Sequence, residues 1–376
     1  MSRLDALLAS GRVPDPALRA GARAQSRLRL LRERRLAGRQ GDPLGAAALR
    51  RSRGPIAVAT EEAHHPHYAV APGFFELVLG PRLKYSCCLY ESPATTLAQA
   101  EEAMLALATG RAGVQDGMEV LDLGCGWGSM SLWLLEQFPG VRVTAVSNSA
   151  AQRGFIEERA QEGGLAERLE VVTADVNELE LERRFDRVVS IEMFEHARNW
   201  KALLEKVERH LEPGGELFVH TFAHRELAWE FESGWMADRF FTGGQMPAAG
   251  LMARIDSPLA VREQWWVDGT HYARTAADWL VRLDDRRAEV LEALRPTRCP
   301  RPARRTPRRR LRRSASPRAP VVPGDRTWGA APREPRRAGR RAWPASRPRC
   351  GRSGFRRPTT APSRPAVSRS GPSGRR

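Results

Sequence analysis

The stretch VLDLGCGWG at residues 120–128 joins a short apolar run to three alternating glycines. A run of this kind is typical of a buried strand that ends in a tight turn. The next residues, 129–138, have the apolar spacing of a helix. The stretch therefore predicts a strand, a glycine loop and a helix, which together form one unit of a Rossmann-like α/β sheet.

The glycine loop also predicts a ligand. Glycine lets a ligand approach the backbone closely, and the free N–H groups of the following helix favour a carboxylate such as the methionyl group of S-adenosylmethionine. Dinucleotide-binding loops usually read G-x-G-x-x-G, with a later acid for the ribose. Here Gly128 comes one residue early and Asp122 precedes the glycines. The pattern favours a methyltransferase over a dehydrogenase and assigns Asp122, Gly124 and Gly126 to the cofactor.

Strand and helix signals alternate through residues 100–222, which predicts a parallel sheet covered on both faces. The Pro213-Gly214-Gly215 run predicts a turn between the last helix and the last strand. We expect strands at Val120–Leu123, Val141–Val146, Leu169–Thr173, Arg187–Ile191 and Glu216–Phe222. We expect helices at 129–138, 150–162 and Trp200–Leu211.

Polar residues follow the second and third predicted strands. Ser147 and Gln152 flank a candidate helix start at Ser149, and their hydroxyl and amide groups can bond ribose. Asp175, after the third strand, is suited to accept a hydrogen bond from the adenine amino group, or it is a turn residue. Ligands of open α/β sheets bind outside the carboxyl ends of the strands.

The fourth predicted strand ends in Ile191-Glu192-Met193-Phe194-Glu195-His196. Two carboxylates and an imidazole at this edge are candidates for stabilising a cation or accepting a proton. His220 lies at the end of the fifth strand on the same rim. His224 is expected at the surface.

Composition divides the chain into three regions. Residues 1–60 read as a helical N-terminal region of short basic helices, broken at Pro14 and Pro16, with Leu28 and Leu31 lying on a larger body. Residues 61–295 form the predicted catalytic domain, with a core at about 100–222 and an aromatic-rich lid at 223–295. The aromatic residues of this lid are about equally consistent with a hydrophobic core and with the lining of a ligand pocket. The loop with His64, His65 and His67 reads as solvated, and no metal site is expected.

Residues 296–376 carry 25 Arg, no Lys, one Asp and one Glu, whereas residues 1–295 have a net charge of −6. The basic character of the chain, +17 overall, therefore belongs to this tail. Its 15 prolines and single Leu predict disorder. Arg, Pro, Ala and Gly are written by G and C alone, so a GC-rich gene read out of frame is favoured over a genuine Arg-rich tail.

Six motifs together resemble the cyclopropane fatty acid synthase superfamily, which includes mycolic acid cyclopropane synthases and coclaurine N-methyltransferases. The resemblance spans roughly residues 60–290. Glu192 and the FTGGQMP run at 241–247 resemble the coclaurine N-methyltransferase branch. The motifs are KYSCCLY at 84–90, the glycine loop, Ser147 to Gln152, Ser190 to His196, FVH at 218–220 and HYART at 271–275.

The resemblance implies roles for named residues. Tyr85, Ser86, Gly124, Gly126, Ser147 and Gln152 would contact S-adenosylmethionine. Cys87, Glu195, His220 and Tyr272 match positions that hold a bicarbonate ion, the base of cyclopropanation. In the N-methyltransferase branch, Glu192, Glu195 and His196 would handle the amine. The resemblance implies either a small-molecule nitrogen or carbon acceptor, which we favour, or an unsaturated acyl chain.

Two readings of another class remain beside the methyltransferase. An Arg-rich tail binds phosphates, so a nucleic-acid-binding protein is one alternative, although a specific nucleic acid is not expected. An inactive truncated product is the other, because relatives continue past Arg295 with a helical segment and a last strand. The N-terminus lacks a continuous apolar segment, and we expect a cytoplasmic location without a transmembrane segment.

Overall fold

Five parallel strands form the central sheet of the protein in a computed structural model that describes residue 7 and residues 12–58, 72–231 and 243–294. Their order is β3-β2-β1-β4-β5. All the strands therefore present their carboxyl ends at one edge. The strands are β1 (Glu119–Leu123), β2 (Arg142–Ser147), β3 (Leu169–Thr173), β4 (Phe185–Ile191) and β5 (Leu211–His220).

Helices flank this sheet and precede it in the chain. In chain order they are α1 (Asp15–Ala37), α2 (Pro43–Arg50), α3 (Pro72–Val78), α4 (Leu97–Ala112), α5 (Ser129–Gln137), α6 (Ala150–Glu162), α7 (Trp200–Arg209), α8 (Gly269–Asp285) and α9 (Arg287–Ala293). Short 3₁₀ turns lie at Ala166–Arg168, Phe194–His196 and Met252–Arg254, and a small antiparallel ribbon pairs β6 (Trp229–Glu230) with β7 (Gln245–Met246).

Both faces of the sheet are covered by apolar side chains, because neighbouring strand residues point to opposite faces. Leu121 and Val188 pack in one core cluster, together with Trp200 of α7. Val120 and Val189 pack in another cluster, together with Leu134 of α5. The predicted α/β, Rossmann-like fold is confirmed. Within the described residues, no helix combines the length and apolar character needed to cross a bilayer.

The junction between α7 and β5 differs from the prediction. The helix ends at Arg209 rather than Leu211, and Leu211 already pairs with Phe185. The register then shifts, so that Glu216 lies opposite Arg187. The Pro213–Gly215 run is thus a bulge inside the strand and not the end of the helix. A Cβ on Gly215 would lie 3.0 Å from the Phe185 carbonyl oxygen, which explains the glycine.

The first helix also corrects the prediction. Pro14 and Pro16 begin one 23-residue helix instead of breaking it, because proline is tolerated in the first turn. Leu28 and Leu31 are 68% and 50% exposed and do not face the body. One contact of the helix with the rest of the protein is made by Arg29, which donates to the Glu230 carbonyl oxygen at 2.5 Å.

Several predictions concern residues outside the described ranges. These are the histidine loop at 64–67, lid positions 232–242 with Trp235, Phe240 and Phe241, and the tail 296–376. Of the other lid aromatics, Trp265 and Trp266 are exposed, and Trp279 packs partly buried against two apolar clusters. The lid therefore mixes core and surface positions.

Candidate active site

The glycine loop turns back under the neighbouring strand at the carboxyl edge of the sheet. The backbone N–H groups of Gly124 and Cys125 both donate to the Val146 carbonyl oxygen at 3.0 Å. Gly124 has a φ of +86°, and a Cβ there would lie 2.6 Å from Cγ of Met193. Gly126 has a φ of +54°, but a Cβ there would meet no atom within 4 Å. Packing explains Gly124, whereas Gly126 borders open space that a ligand can approach.

Asp122 lies in β1 directly before the loop and is 2% exposed. Its carboxylate accepts a hydrogen bond from the Ser131 hydroxyl at 2.6 Å. Burial raises the pKa of Asp122 to about 6. The contact fixes the first turn of α5 behind the loop, so the structure gives Asp122 a supporting position, and direct contact with the cofactor stays a prediction.

Ser147 and Gln152 meet at the end of β2, as their spacing across the helix start suggests. The Ser147 hydroxyl donates to the Gln152 amide oxygen at 2.5 Å and accepts from the Ser149 N–H at 3.0 Å. Ser149 caps α6 by accepting from the Gln152 N–H. The two predicted cofactor residues are thus neighbours on this rim, and their contact with a ligand stays a prediction.

Asp175 follows β3 and organises a turn. Its carboxylate accepts from the Asn177 backbone N–H at 2.7 Å and from the Asn177 side-chain amide at 3.0 Å. Asp175 is therefore a turn residue, which is one of the two roles that the sequence allowed. The adenine contact suggested for the same carboxylate stays a prediction.

The loop at residues 84–87 approaches this rim from the segment before α4. Lys84 is 1% exposed, and its ammonium donates to the Ser86 hydroxyl at 2.5 Å and to the Cys87 carbonyl oxygen at 2.7 Å. Tyr85 is 52% exposed, with its ring against Phe75 and Trp279. Burial raises the pKa of the Cys87 thiol to about 12, so it remains protonated and is not a nucleophile at neutral pH.

The HYART motif docks the start of α8 on this loop. His271 accepts from the Tyr90 backbone N–H at 3.1 Å, and Thr275 accepts from the Cys88 N–H at 3.1 Å. Because residues three and four apart share a helix face, these contacts fix the orientation of the helix. Tyr272 then reaches the site, where its hydroxyl donates to Glu192 Oε2 at 3.0 Å.

Glu192 lies at the centre of the site. It has a φ of +49°, unusual for a residue other than glycine, and its N–H donates to the His220 carbonyl oxygen at 2.7 Å. Oε1 accepts from the Cys87 N–H at 2.9 Å, while Oε2 accepts from Tyr272. Burial raises the pKa of Glu192, and the charge of Lys84 opposes that rise. The strained backbone thus aims a carboxylate at two donors.

Glu195 is the second carboxyl group and is fully buried in the turn after β4. Its Oε1 accepts from the Phe222 N–H at 2.9 Å, and its Oε2 has no hydrogen-bond partner among the described residues. Burial and the nearby Glu192 charge raise the pKa of Glu195 to about 8. This carboxyl group can therefore hold or release a proton near neutral pH.

His220 and His196 differ in their surroundings. Burial, with the positive charges of Lys84 and Arg111, lowers the pKa of His220 to about 3, so its imidazole is neutral. His196 is exposed in the turn that buries Glu195. The structure thus brings Cys87, Glu195, His220 and Tyr272 around Glu192, whereas His196 stands on the outer side of its turn.

Two charged residues of the site were not predicted from the sequence. The charge of Lys84 opposes the raised pKa of Glu192, and the fully buried Glu101 accepts from the backbone N–H groups of Arg82 and Lys84 at 2.9 and 3.2 Å. A signal was present, because Lys84 is one of only three lysines before residue 296 and begins a motif. Glu101 lies within a regular helix and carries no such signal.

This sheet with a glycine loop at its carboxyl edge is the Rossmann-like α/β fold of methyltransferases. Residues 57–299 match the family model described as Mycolic acid cyclopropane synthetase, and the chain belongs to this family of S-adenosylmethionine-dependent methyltransferases.

N-methyltransferases and cyclopropane synthases are both similar to the chain. An (S)-coclaurine N-methyltransferase of Thalictrum flavum is 36% identical over 61% of this chain and 65% of its own length. The cyclopropane-fatty-acyl-phospholipid synthase of Escherichia coli is 31% identical over 58% of this chain and 55% of its own. The match thus spans less than two thirds of these relatives.

Solved structures of the same two kinds of enzyme are also similar to the chain. A coclaurine N-methyltransferase bound to N-methylheliamine and SAH superimposes with a TM-score of 0.70 at 30% identity, covering 76% of this chain and 85% of that one. A cyclopropane synthase of Mycobacterium tuberculosis gives 0.55 at 26% identity, covering 62% and 87%. The predicted family is confirmed.

Proposed function

We propose that this protein transfers a methyl group from S-adenosylmethionine to the nitrogen of a small-molecule amine. Gly126 leaves space for the cofactor at the loop, and Ser147, Gln152, Tyr85 and Ser86 border the same rim. When bound, S-adenosylmethionine supplies an electrophilic methyl group on a sulfonium. The residues of this chain align the acceptor and manage its proton.

The hydrogen bonds of Glu192 carry the preference for an amine. Glu192 accepts hydrogen bonds from the N–H of Cys87 and the O–H of Tyr272. Both residues occupy positions that the resemblance assigns to bicarbonate binding. A resident carboxylate therefore already uses these donors. A second anion beside it would add like charge to a buried site, which is unfavourable. The donor set therefore does not fit bicarbonate.

Glu195 supplies the proton chemistry in this proposal. An amine attacks a methyl group only through a neutral lone pair, so the ammonium proton must leave. The free Oε2 of Glu195 is buried at the rim, and the pKa of this carboxyl group is raised to about 8. In its carboxylate form, such a group accepts the proton from the ammonium ion, and it releases that proton to water before the next turnover. Glu192 in turn favours the cationic product.

Methylation of unsaturated acyl chains is the second candidate. Cys87 and Tyr272 both contact Glu192, and Glu195 follows it in the same turn, so most of the positions that the resemblance ties to cyclopropanation lie near one another. The similarity to the Escherichia coli phospholipid synthase points the same way.

A direct comparison of acceptors tests the proposal. The full chain and S-adenosylmethionine are incubated with coclaurine or with vesicles of unsaturated phosphatidylglycerol. Each reaction is run with and without bicarbonate, and the masses of the products are measured by mass spectrometry. We expect coclaurine to gain one CH₂ regardless of bicarbonate and the lipid to stay unchanged. A Glu192→Gln variant is the matched control and should lose amine methylation. A bicarbonate-dependent gain of CH₂ on the lipid would overturn the amine assignment.

A further inference from the structure

Lys84 is a buried cation in the loop that carries Tyr85, Ser86 and Cys87. It is 1% exposed, and the ammonium has two oxygen acceptors, the Ser86 hydroxyl at 2.5 Å and the Cys87 carbonyl at 2.7 Å. A buried ammonium is costly unless opposite charge lies nearby. The site must therefore contain the compensating carboxylates.

Two carboxylates, the buried Glu101 and the partly buried Glu192, lie close enough to Lys84 for its charge to lower their pKa. Glu101 of α4 accepts from the Lys84 backbone N–H at 3.2 Å. Glu192 contacts the same residue as the ammonium, because the Cys87 carbonyl accepts from Lys84 while the Cys87 N–H donates to Glu192 at 2.9 Å. Lys84 and Glu192 thus hold Cys87 from its two ends, and moving one disturbs the contact of the other.

We propose that Lys84 is a positioning residue for methyl transfer, fixing the 84–87 loop and keeping Glu192 in the carboxylate form that accepts from Cys87 and Tyr272. This inference rests on the proposed role of Glu192 in the site. Lys84 acts through Glu192 and is not assigned contact with the acceptor.

The other groups that face Glu192 do not replace this charge. His220 is neutral, since its pKa is lowered to about 3, and the Tyr272 hydroxyl and Cys87 N–H are uncharged donors. Tyr85 carries no charge at neutral pH, and Glu195 is a like charge when ionised. Without Lys84, burial would favour protonated Glu192, which has one acceptor oxygen fewer for its two donors.

The test follows the Glu192 carboxyl directly. Full-length protein labelled with ¹³C at glutamate side-chain carboxyls is titrated by NMR, and the Glu192 resonance is assigned by its loss in Glu192→Gln. In Lys84→Gln, which keeps an amide donor but loses the charge, we expect Glu192 to titrate about one pH unit or more higher than in the parent. In Lys84→Arg, which keeps the charge, the titration should return towards the parent.

Lys206 offers a matched control. It is also buried, and its ammonium donates to the carbonyl oxygens of Asn177 and Leu179 at 3.0 and 2.7 Å and pairs with Glu180 at 3.5 Å, on the side of the sheet edge that holds Asp175 and not Glu192. Lys206→Gln should lose stability in the way Lys84→Gln does but leave the Glu192 titration unchanged. An unchanged Glu192 titration in Lys84→Gln, or an equal change in Lys206→Gln, would overturn the inference.

The titration needs no acceptor, so it separates this inference from the proposed function. If Glu192 shifts as expected while the parent fails to methylate coclaurine, Lys84 is the counter-charge of Glu192 but the amine assignment falls. With an active parent, Lys84→Gln should lower kcat/KM, and Lys84→Arg, which keeps the charge, should recover part of it.

Discussion

Replacing Glu195 by Gln tests the proton-accepting carboxyl group. The amide has nearly the same shape as the carboxyl group, but it cannot ionise. Its oxygen can still accept from the Phe222 N–H, which lies 2.9 Å from Oε1 of Glu195 in the parent. With the pKa of Glu195 raised to about 8, the carboxylate is the minor form at pH 7 and the major form at pH 9. Activity that needs the carboxylate should therefore rise with pH through this window.

The size of the effect follows from this titration. Moving from pH 7 to pH 9 raises the carboxylate fraction about tenfold, so kcat of the parent should rise about tenfold. The Gln variant should lose about a hundredfold or more of kcat at pH 9, the usual contribution of general acid–base catalysis, and its pH profile should be flat.

The assay is SAH release from saturating S-adenosylmethionine and coclaurine between pH 6.5 and 9.5. Calorimetry with S-adenosylmethionine serves as the control, because the substitution removes charge at the acceptor side and should leave cofactor affinity nearly unchanged. A Gln variant that keeps the parental kcat and the parental slope would refute the reasoning and leave Glu195 a structural role.

Two further predictions concern the glycine loop. Gly126→Val should fold but lose measurable affinity for S-adenosylmethionine by calorimetry, because the added side chain enters the open space beside the loop, and its φ of +54° disfavours a β-branched residue; parental affinity in a folded variant would move the cofactor elsewhere. Asp122→Asn should keep the acceptor for Ser131 and stabilise the protein at pH 7 by up to about 3 kcal/mol, since the folded pKa of about 6 exceeds the unfolded value. The parent should lose stability as pH rises from about 4 to 6, whereas the variant should not, and urea titrations with equal pH dependence for both would contradict this reading.

Local signals predicted the sheet well. The apolar run before Gly124 became a strand, because a central strand that is buried on both faces leaves a nearly continuous apolar stretch in the sequence. The Pro213–Gly215 run misled, since glycine and proline mark a departure from regular backbone without saying whether a helix ends or a strand bulges. Leu28 and Leu31 misled likewise, because periodicity gives a stripe of leucines but not the body that covers it.

The sequence by itself determined the class of protein. The glycine loop, the polar residues at the strand ends and the HYART motif are short local patterns, and a parallel sheet necessarily gathers strand ends at one edge. Tertiary structure alone decided how the gathered charges act. Glu192, Cys87 and Tyr272 are distant in the chain, so only folding puts the carboxylate on those two donors, at 2.9 and 3.0 Å. The burial that raises the pKa of Glu195 and the placement of Lys84 beside Cys87 are likewise set by packing, because desolvation and charge act through space and not along the sequence.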